Sequence, residues 1–120
     1  MNRKLTLVRG DSKSYPLLFH DGDDVALDIT GWLVRFTLKT DKTLSDSEAS
    51  LIKIVSSHSS PTTGVTAIDL TPADTIDLAA RQYVFDIQVT TNLGKVYTVL
   101  VGRFVLEEGT SRGTSGTSGA

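Results

Sequence analysis

The residues of this chain that could perform acid–base or metal chemistry are its two histidines and its clustered carboxylates. His20 stands beside Asp21, Asp23 and Asp24, and imidazole with carboxylates is a ligand set that binds divalent cations. The spacing is that of a solvated loop, because a calcium loop needs acids at alternating positions and a distant bidentate glutamate. We therefore predict no metal site and no cofactor.

The second histidine, His58, lies among serines. A catalytic triad is assembled in space and is not indicated by sequence adjacency, and the chain has no Gly-x-Ser-x-Gly elbow. Paired carboxylates could serve a glycosidase, but the acids here stand at strand ends, at a helix start or on an outward strand face. These acids are Asp69, Asp74, Asp77, Asp86, Glu107 and Glu108. No apolar neighbourhood that would raise their pKa is readable, so we predict no catalytic residues and no enzyme activity.

Two further patterns resemble binding motifs. Arg9-Gly10-Asp11 matches a tripeptide read by adhesion receptors, but a turn between two strands explains it. An aromatic set could stack on a sugar, but its strand parity assigns it to the core. This set is Trp32, Phe36, Phe85 and Phe104. Tyr15 and Tyr97 remain as the candidates for glycan contact.

Length and composition narrow the class of protein. The chain has 120 residues, which suits one domain, and its lack of cysteine excludes disulfides and thiolate metal sites. The net charge of −2 argues against a nucleic-acid binder. No apolar run is long enough to span a membrane. No signal peptide follows the basic N-terminus, so we predict synthesis in the cytoplasm without export, unless the chain is a fragment of a longer protein.

The elements that would position these residues are short strands. Period-two alternation predicts strands over residues 4–8, 14–19, 25–29, 32–39, 51–55, 65–70, 82–90 and 95–106. The last two form a long hairpin around a turn at Asn92-Leu93-Gly94. In the strand 32–39, alternate residues Trp32, Val34, Phe36 and Leu38 point inward. The polar segment 41–50 is predicted to be a mobile loop.

Two local signals add detail. Thr71 as N-cap, Pro72 at the first helical position and Asp74 as the capping-box acid predict a short helical connector over residues 71–78. Gly102 interrupts the last strand at a change of parity, which predicts a β-bulge there or burial on both faces. Together these elements predict an all-β sandwich over residues 1–108. Residues 109–120 are a Gly/Ser/Thr tail predicted to be disordered, either a native linker or an expression remnant.

The order of several segments supports a comparison with a known family. The segments are Arg9-Gly10-Asp11 and residues 27–31, 34–39, 68–75, 83–88, 94–98 and 102–104. In this order they resemble the immunoglobulin-like domain of phage virion proteins, in particular the N-terminal domain of phage baseplate upper proteins and related small tail and neck proteins. The resemblance covers residues 3–108 and implies an immunoglobulin-like antiparallel β-sandwich of seven or eight strands with one short helical connector.

The resemblance also implies a function without catalysis or cofactor. We expect a structural phage virion protein of the tail, baseplate or head surface, located in the virion, that docks onto other virion proteins in a symmetric assembly. Homo-oligomerisation is an open alternative for its partners, and neither nucleic acid nor membrane is expected. If one sheet face is uncovered, outward apolar residues would supply contact area; these are Leu33, Val84, Val99, Val101 and Val105. A second sheet would otherwise cover them. The rival hypothesis is a carbohydrate- or cell-surface-binding module.

Overall fold

The computed structural model describes residues 2–109, which form seven strands with one helical turn between the fifth and sixth. The strands are β1 (Asn2–Val8), β2 (Lys13–Leu18), β3 (Leu33–Lys39), β4 (Leu51–Val55), β5 (Val65–Leu70), β6 (Gln82–Thr90) and β7 (Val96–Glu107). The helix α1 is Pro72–Thr75, and short 3-10 turns occupy Asp46–Glu48 and Pro61–Thr63. The predicted all-β fold is confirmed.

The strands form two layers. A five-stranded sheet has the order β1-β7-β6-β3-β4, and β2 and β5 make a two-stranded sheet. All pairings are antiparallel except that of β1 with β7, which is parallel. The predicted sandwich is therefore confirmed, and the parallel pair is its one departure from the antiparallel arrangement expected.

The core lies between the two sheets and follows the predicted alternation. Phe36, Phe85 and Phe104 are each no more than 3% exposed. The Phe36 ring lies 5.6 Å from that of Phe85 and 6.1 Å from that of Phe104, centroid to centroid. Trp32 precedes β3 instead of beginning it and is only partly buried, with its ring edge-on to Phe19 at 6.1 Å. The aromatic set thus belongs to the core, with Trp32 at its margin.

The strand predicted over residues 25–29 is wrong. In this segment only Ala26 forms a β-bridge, an isolated one with His20. The Asp28 carboxylate accepts hydrogen bonds from the backbone N–H and the hydroxyl of Thr30, at 3.0 and 2.6 Å. Such local side-chain bonds offer the backbone an alternative to a sheet ladder. Ile29 is nevertheless fully buried, which explains the apolar alternation of a segment that is not a strand.

The β-bulge predicted at Gly102 lies elsewhere in β7. Ile87 pairs with Leu100 and Gln88 with Thr98, so Val99 is the extra residue. Gly102 stands in regular register opposite Phe85. The bulge restores the inward parity of the second half of β7, where Phe104 and Leu106 are buried.

The helical connector is confirmed, although α1 ends at Thr75 and not near Leu78. The backbone N–H of Thr71 donates to the Asp74 carboxylate at 2.8 Å, as the capping signal predicts. Thr75 is fully buried, and its hydroxyl accepts the N–H of Gly10 at 2.9 Å. The connector therefore ties the β1–β2 turn to the end of β5.

The sandwich ends with β7 at Glu107, and Glu108 and Gly109 have no regular structure. The predicted domain boundary at residue 108 stays a prediction. Apart from Gly109, the predicted tail lies outside the described residues, and its disorder stays a prediction.

Gly64 and Gly94 form a matched pair for testing backbone strain. Both have a left-handed backbone, with φ of +76° and +83°. A Cβ at Gly64 would lie 2.5 Å from the carbonyl oxygen of Phe19 and 2.8 Å from that of Leu27, whereas nothing lies within 4 Å at Gly94.

We expect Gly94→Ala to lower the free energy of unfolding by about 1 kcal/mol through backbone strain alone. Gly64→Ala should cost a further ~1–3 kcal/mol, because rigid backbone carbonyls must move. Urea unfolding of both variants measures the difference. Equal losses would contradict the close packing around Gly64.

Candidate interaction surface

The cluster around His20 forms a surface turn. The Asp21 carboxylate accepts the N–H groups of Asp23 and Val25 at 2.8 and 3.1 Å. His20 Nδ1 lies 3.4 Å from an Asp24 carboxylate oxygen, and the Asp24 side chain is 93% exposed. Across residues 2–109 no group of three or more His, Asp or Glu side chains is arranged to hold a metal ion. The cluster thus has the geometry of a solvated loop.

His58 has a definite role that its serine-rich surroundings did not indicate. Its Nε2 lies 2.8 Å from the carbonyl oxygen of Trp32, and its Nδ1 lies 2.9 Å from the Thr66 hydroxyl. Because a carbonyl only accepts, Nε2 must carry a proton and donate. Thr66 lies in β5 and is fully buried. The imidazole therefore links β5 to the residue that precedes β3 and is engaged at both nitrogens.

Arg9-Gly10-Asp11 is a structural turn, as the sequence favours. Gly10 takes a φ of +86°, and the Asp11 N–H donates to the Val8 carbonyl oxygen at 3.0 Å. The Arg9 guanidinium lies 3.0 Å from the Glu108 carboxylate and is 23% exposed. This arginine links the first turn to the end of β7.

The two tyrosines proposed for glycan contact lie in different environments. Tyr15 packs edge-on against Phe104 at 6.5 Å and is partly buried at the margin of the core, and its role in glycan contact stays a prediction. Burial raises the pKa of its phenol above the usual value. Tyr97, near the tip of the hairpin, is 52% exposed. Of the two, Tyr97 alone presents an aromatic surface to solvent.

The other carboxylates serve structure or face solvent. Asp69 and Asp77 are exposed. Lys53 Nζ, on β4, lies 2.9 Å from the Asp74 carboxylate at the start of α1. Partial burial disfavours the charged form of Asp74, but hydrogen bonds from Thr71 and Lys53 outweigh burial and hold its pKa below the usual value. This ion pair closes one open side of the sandwich.

Within residues 2–109, no second sheet covers the outer face of the five-stranded sheet. Its central residues come from β3, β6 and β7, where Arg35 lies beside Gln88 and Thr37 beside Asp86. Exposed apolar side chains flank this polar centre. On or next to this face, they are Leu33, Ile52, Ile54, Val96, Val99 and Val101, which are 38–62% exposed. Of the outward residues predicted to offer contact area, Leu33, Val99 and Val101 are exposed, and Val84 and Val105 are half-buried.

One loop is fastened onto this face by a charge cluster. The Asp46 carboxylate, in the 3-10 turn of the β3–β4 loop, forms ion pairs with Arg35 at 3.1 Å and with Lys39 at 3.0 Å. Lys39 Nζ also donates to the Leu44 carbonyl oxygen at 2.8 Å. Both cations lower the pKa of Asp46. The segment predicted to be a mobile loop is therefore held to the sheet by ionic contacts.

Between this loop and the hairpin lies a groove of about 580 Å3. It is lined by Thr37, Lys39, Lys42, Val84, Phe85, Asp86, Val101, Gly102 and Arg103. Burial raises the pKa of Asp86 above the usual value; Lys39 and Arg35 act in the opposite direction, and Asp46 adds to the increase. The sequence did not reveal this effect, because it depends on the β3–β4 loop lying over the sheet.

The groove combines charged and apolar side chains. The groove contains cations, one desolvated acid and valine side chains, but neither histidine lines it. Both nitrogens of His58 are already used within the fold. Apolar side chains that are exposed together on one face of a fold are a feature of binding surfaces. No helix within residues 2–109 is long and apolar enough to cross a membrane.

Comparison with known families finds no family model that matches this chain, and comparison with curated proteins finds no matching sequence. The resemblance to phage virion domains therefore stays a prediction.

His58→Ala should lower the free energy of unfolding by about 1–3 kcal/mol, because the buried Thr66 hydroxyl and the Trp32 carbonyl lose their partner. Chemical denaturation measures the loss. Ser57→Ala, at an exposed neighbouring site, is the control and should have little effect. A loss no greater than that of the control would show that the bridge contributes nothing.

Asp74→Asn and Asp86→Asn should change stability in opposite directions at pH 7. The lowered pKa of Asp74 means that its charge stabilises the fold above the unfolded pKa of about 3.9, and this effect is lost as pH falls through the lower native value. The raised pKa of Asp86 means that its charge destabilises the fold above the native value, and this effect disappears below about 3.9.

We therefore expect Asp74→Asn to unfold at lower urea concentration than the parent protein at pH 7, and Asp86→Asn at higher. The Asp86→Asn difference should vanish below about pH 3.9, and the Asp74→Asn difference should shrink at still lower pH, as the native carboxyl of Asp74 becomes protonated. Urea midpoints at several pH values test this. Destabilisation by Asp86→Asn at pH 7 would contradict an unfavourably buried carboxylate.

Proposed function

We propose that this chain is a non-catalytic structural protein of a bacteriophage virion, placed in the tail, baseplate or head surface. It docks onto neighbouring virion proteins through the uncovered outer face of its five-stranded sheet and through its open strand edges. It is made in the host cytoplasm and needs no cofactor. Other virion proteins are its partners, and contact with nucleic acid or membrane is not part of the role.

The observation that carries this proposal is the uncovered apolar outer face. Leu33 and Val101 are 43% and 38% exposed at separate places on it, and the groove lies beside Val101. Exposed apolar side chains grouped on one face favour binding to another surface. Repetition of the chain around a symmetry axis would add many weak contacts of this kind.

The positions of the resembling segments support the same role. Glycines within or beside these segments take the positive φ that their turns require: Gly10, Gly31 and Gly94, with values of +86°, +81° and +83°. The segment 71–74 forms the predicted helix cap. The family-like order of segments thus coincides with consistent turn and cap geometry along the sandwich.

The rival role as a glycan-binding module has less support. A sugar-stacking platform needs aromatic faces open to solvent. Tyr15 packs against the core and its pKa is raised by burial, which leaves Tyr97 as a single exposed ring. A lone ring on a hairpin strand supports sugar recognition less well than the apolar face supports protein docking.

The proposal is tested on purified phage particles. Particles from a lysate of the host that carries the gene are banded by density and analysed by mass spectrometry. We expect peptides of this chain in fixed ratio to the major capsid protein, and particles from a deletion strain should lack it and lose infectivity. Abundant chain in the lysate with none in the particles would refute the proposal.

A substitution on the outer face tests how the chain docks. Val101→Glu places a charge beside the groove, whereas Leu93→Glu changes a residue that is 80% exposed in the hairpin turn. In complementation of the deletion strain, Val101→Glu should lower the phage titre at least about tenfold, because burying an unpaired charge in the contact is unfavourable. Leu93→Glu should leave the titre unchanged. Circular dichroism of both proteins confirms folding, and equal titres would exclude this face.

A further inference from the structure

The edge strands of this sandwich differ in their protection against pairing with another chain. Natural edge strands are blunted by proline, by charges or by bulges. On β2, Pro16 and Lys13 serve this purpose, and on β1 the exposed Lys4 does. The open edge of β5 begins with a bridge between Ser60 and Val65.

β4 carries much less protection. Its sequence is Leu-Ile-Lys-Ile-Val, with no proline and one charge. That charge, on Lys53, is neutralised by Asp74 at 2.9 Å. Ile52 and Ile54 face outward and are 38% and 62% exposed. Among the edge strands that the structure describes, β4 is the one that offers an apolar, unblocked ladder.

The pattern of β4 is symmetric about Lys53. Two apolar residues precede the lysine and two follow it, and alternate members face the same side of the sheet. An antiparallel partner with the same sequence would meet apolar residues with apolar residues at every position but the centre. This self-complementarity singles out a second copy of the chain as the occupant of the edge.

We propose that β4 pairs antiparallel with β4 of a second copy around a two-fold axis at Lys53. The five-stranded sheets of the two copies then continue into each other. In this register Ile52 meets Ile54 of the partner subunit on the outer face, and Leu51 meets Val55 of the partner subunit on the inner face. An isologous contact of this kind closes on itself as a dimer.

The central pair would place Lys53 against Lys53 of the partner subunit. Like charges directly opposite each other destabilise a strand pair. Each ammonium, however, enters the contact already paired with Asp74 of its own copy, whose side chain is only 16% exposed. The low pKa of Asp74 keeps this partner ionised at neutral pH.

The size of the contact sets its strength. Pairing two five-residue strands gives an interface smaller than the ~1,600 Å2 that is standard for tight complexes. The dimer should therefore be weak in free solution, with a dissociation constant on the order of 10–100 µM. In a virion of many copies, the same contact would be strengthened by multivalency. The pairing deepens the docking role proposed above, and its failure would leave the particle experiment unaffected.

Sedimentation velocity on the full chain, from about 10 µM to about 1 mM, tests the dimer directly. We expect a reversible rise toward the dimer mass. Ile54→Lys should raise the dissociation constant at least about tenfold, because two apolar contacts are lost and two charges are added. Leu18→Lys is the matched control, since Leu18 is 64% exposed on the β2 edge, and it should change nothing.

A monomer at all concentrations would overturn the proposal, as would an equal effect of the control. The register has its own test, because the chain has no cysteine. Lys53→Cys should be cross-linked to a dimer by a short bismaleimide, whereas Asp69→Cys, exposed on β5, should not. Cross-linking of the second variant in place of the first would place the contact elsewhere and overturn the β4 pairing.

Discussion

Two strands must cover the inner face of a sheet of five, and most other features of the molecule follow from this unequal division. The narrow sheet shields the middle of the wide one, where Phe36, Phe85 and Phe104 pack. Toward the hairpin tip the two-stranded sheet no longer covers the inner face of the five-stranded sheet. Tyr97 stands opposite Val89 on this face, yet Tyr97 is 52% exposed and Val89 is 1% exposed. A sandwich of this shape leaves both a bare outer face and open edges.

Polar contacts connect the two layers in addition to the apolar packing beneath the two-stranded sheet. His58 joins the Trp32 carbonyl to Thr66, Lys53 reaches Asp74, and Gly10 donates to Thr75. On one side of each contact is the wide sheet or a segment next to one of its strands. On the other side is β5 or the helix that follows β5. Removal of one partner leaves a buried group unsatisfied, which costs more than the bond itself contributes. These bridges fix how the layers sit over each other, a role that nonspecific apolar contact fills poorly.

Alternation of buried and exposed residues was enough to predict β3, β6 and most of the core. The capping signal at Thr71 and Asp74 was equally readable, because it depends on residues three positions apart. The features that the sequence did not predict depend on contacts between residues that are distant in sequence. Residues 25–29 form no strand although Ile29 is buried, and the ion pairs of Asp46 with Arg35 and Lys39 require a folded sheet. His58 likewise finds Trp32 only in three dimensions.

The sequence predicted which residues face outward but not the shape of the surface that they form. Leu33 and Val101 could be assigned to an outward face from parity alone. The groove beside Asp86 could not be, because it is formed by the way the β3–β4 loop lies on the sheet. The raised pKa of Asp86 is a consequence of the same arrangement, since burial depends on what lies above a residue and not on its own strand.

The parallel pairing of β1 with β7 bears on how the protein is made. Leu5 lies beside Phe104 and Val8 beside Glu107, so within this sandwich β1 is synthesised first and must wait for β7, which is synthesised last. Until then β6 lacks its neighbour on one side, and long-range pairings of this kind form late and slowly. The nascent chain therefore keeps β1 unpaired until β7 has been made, an interval in which chaperones or an assembling partner can reach this strand.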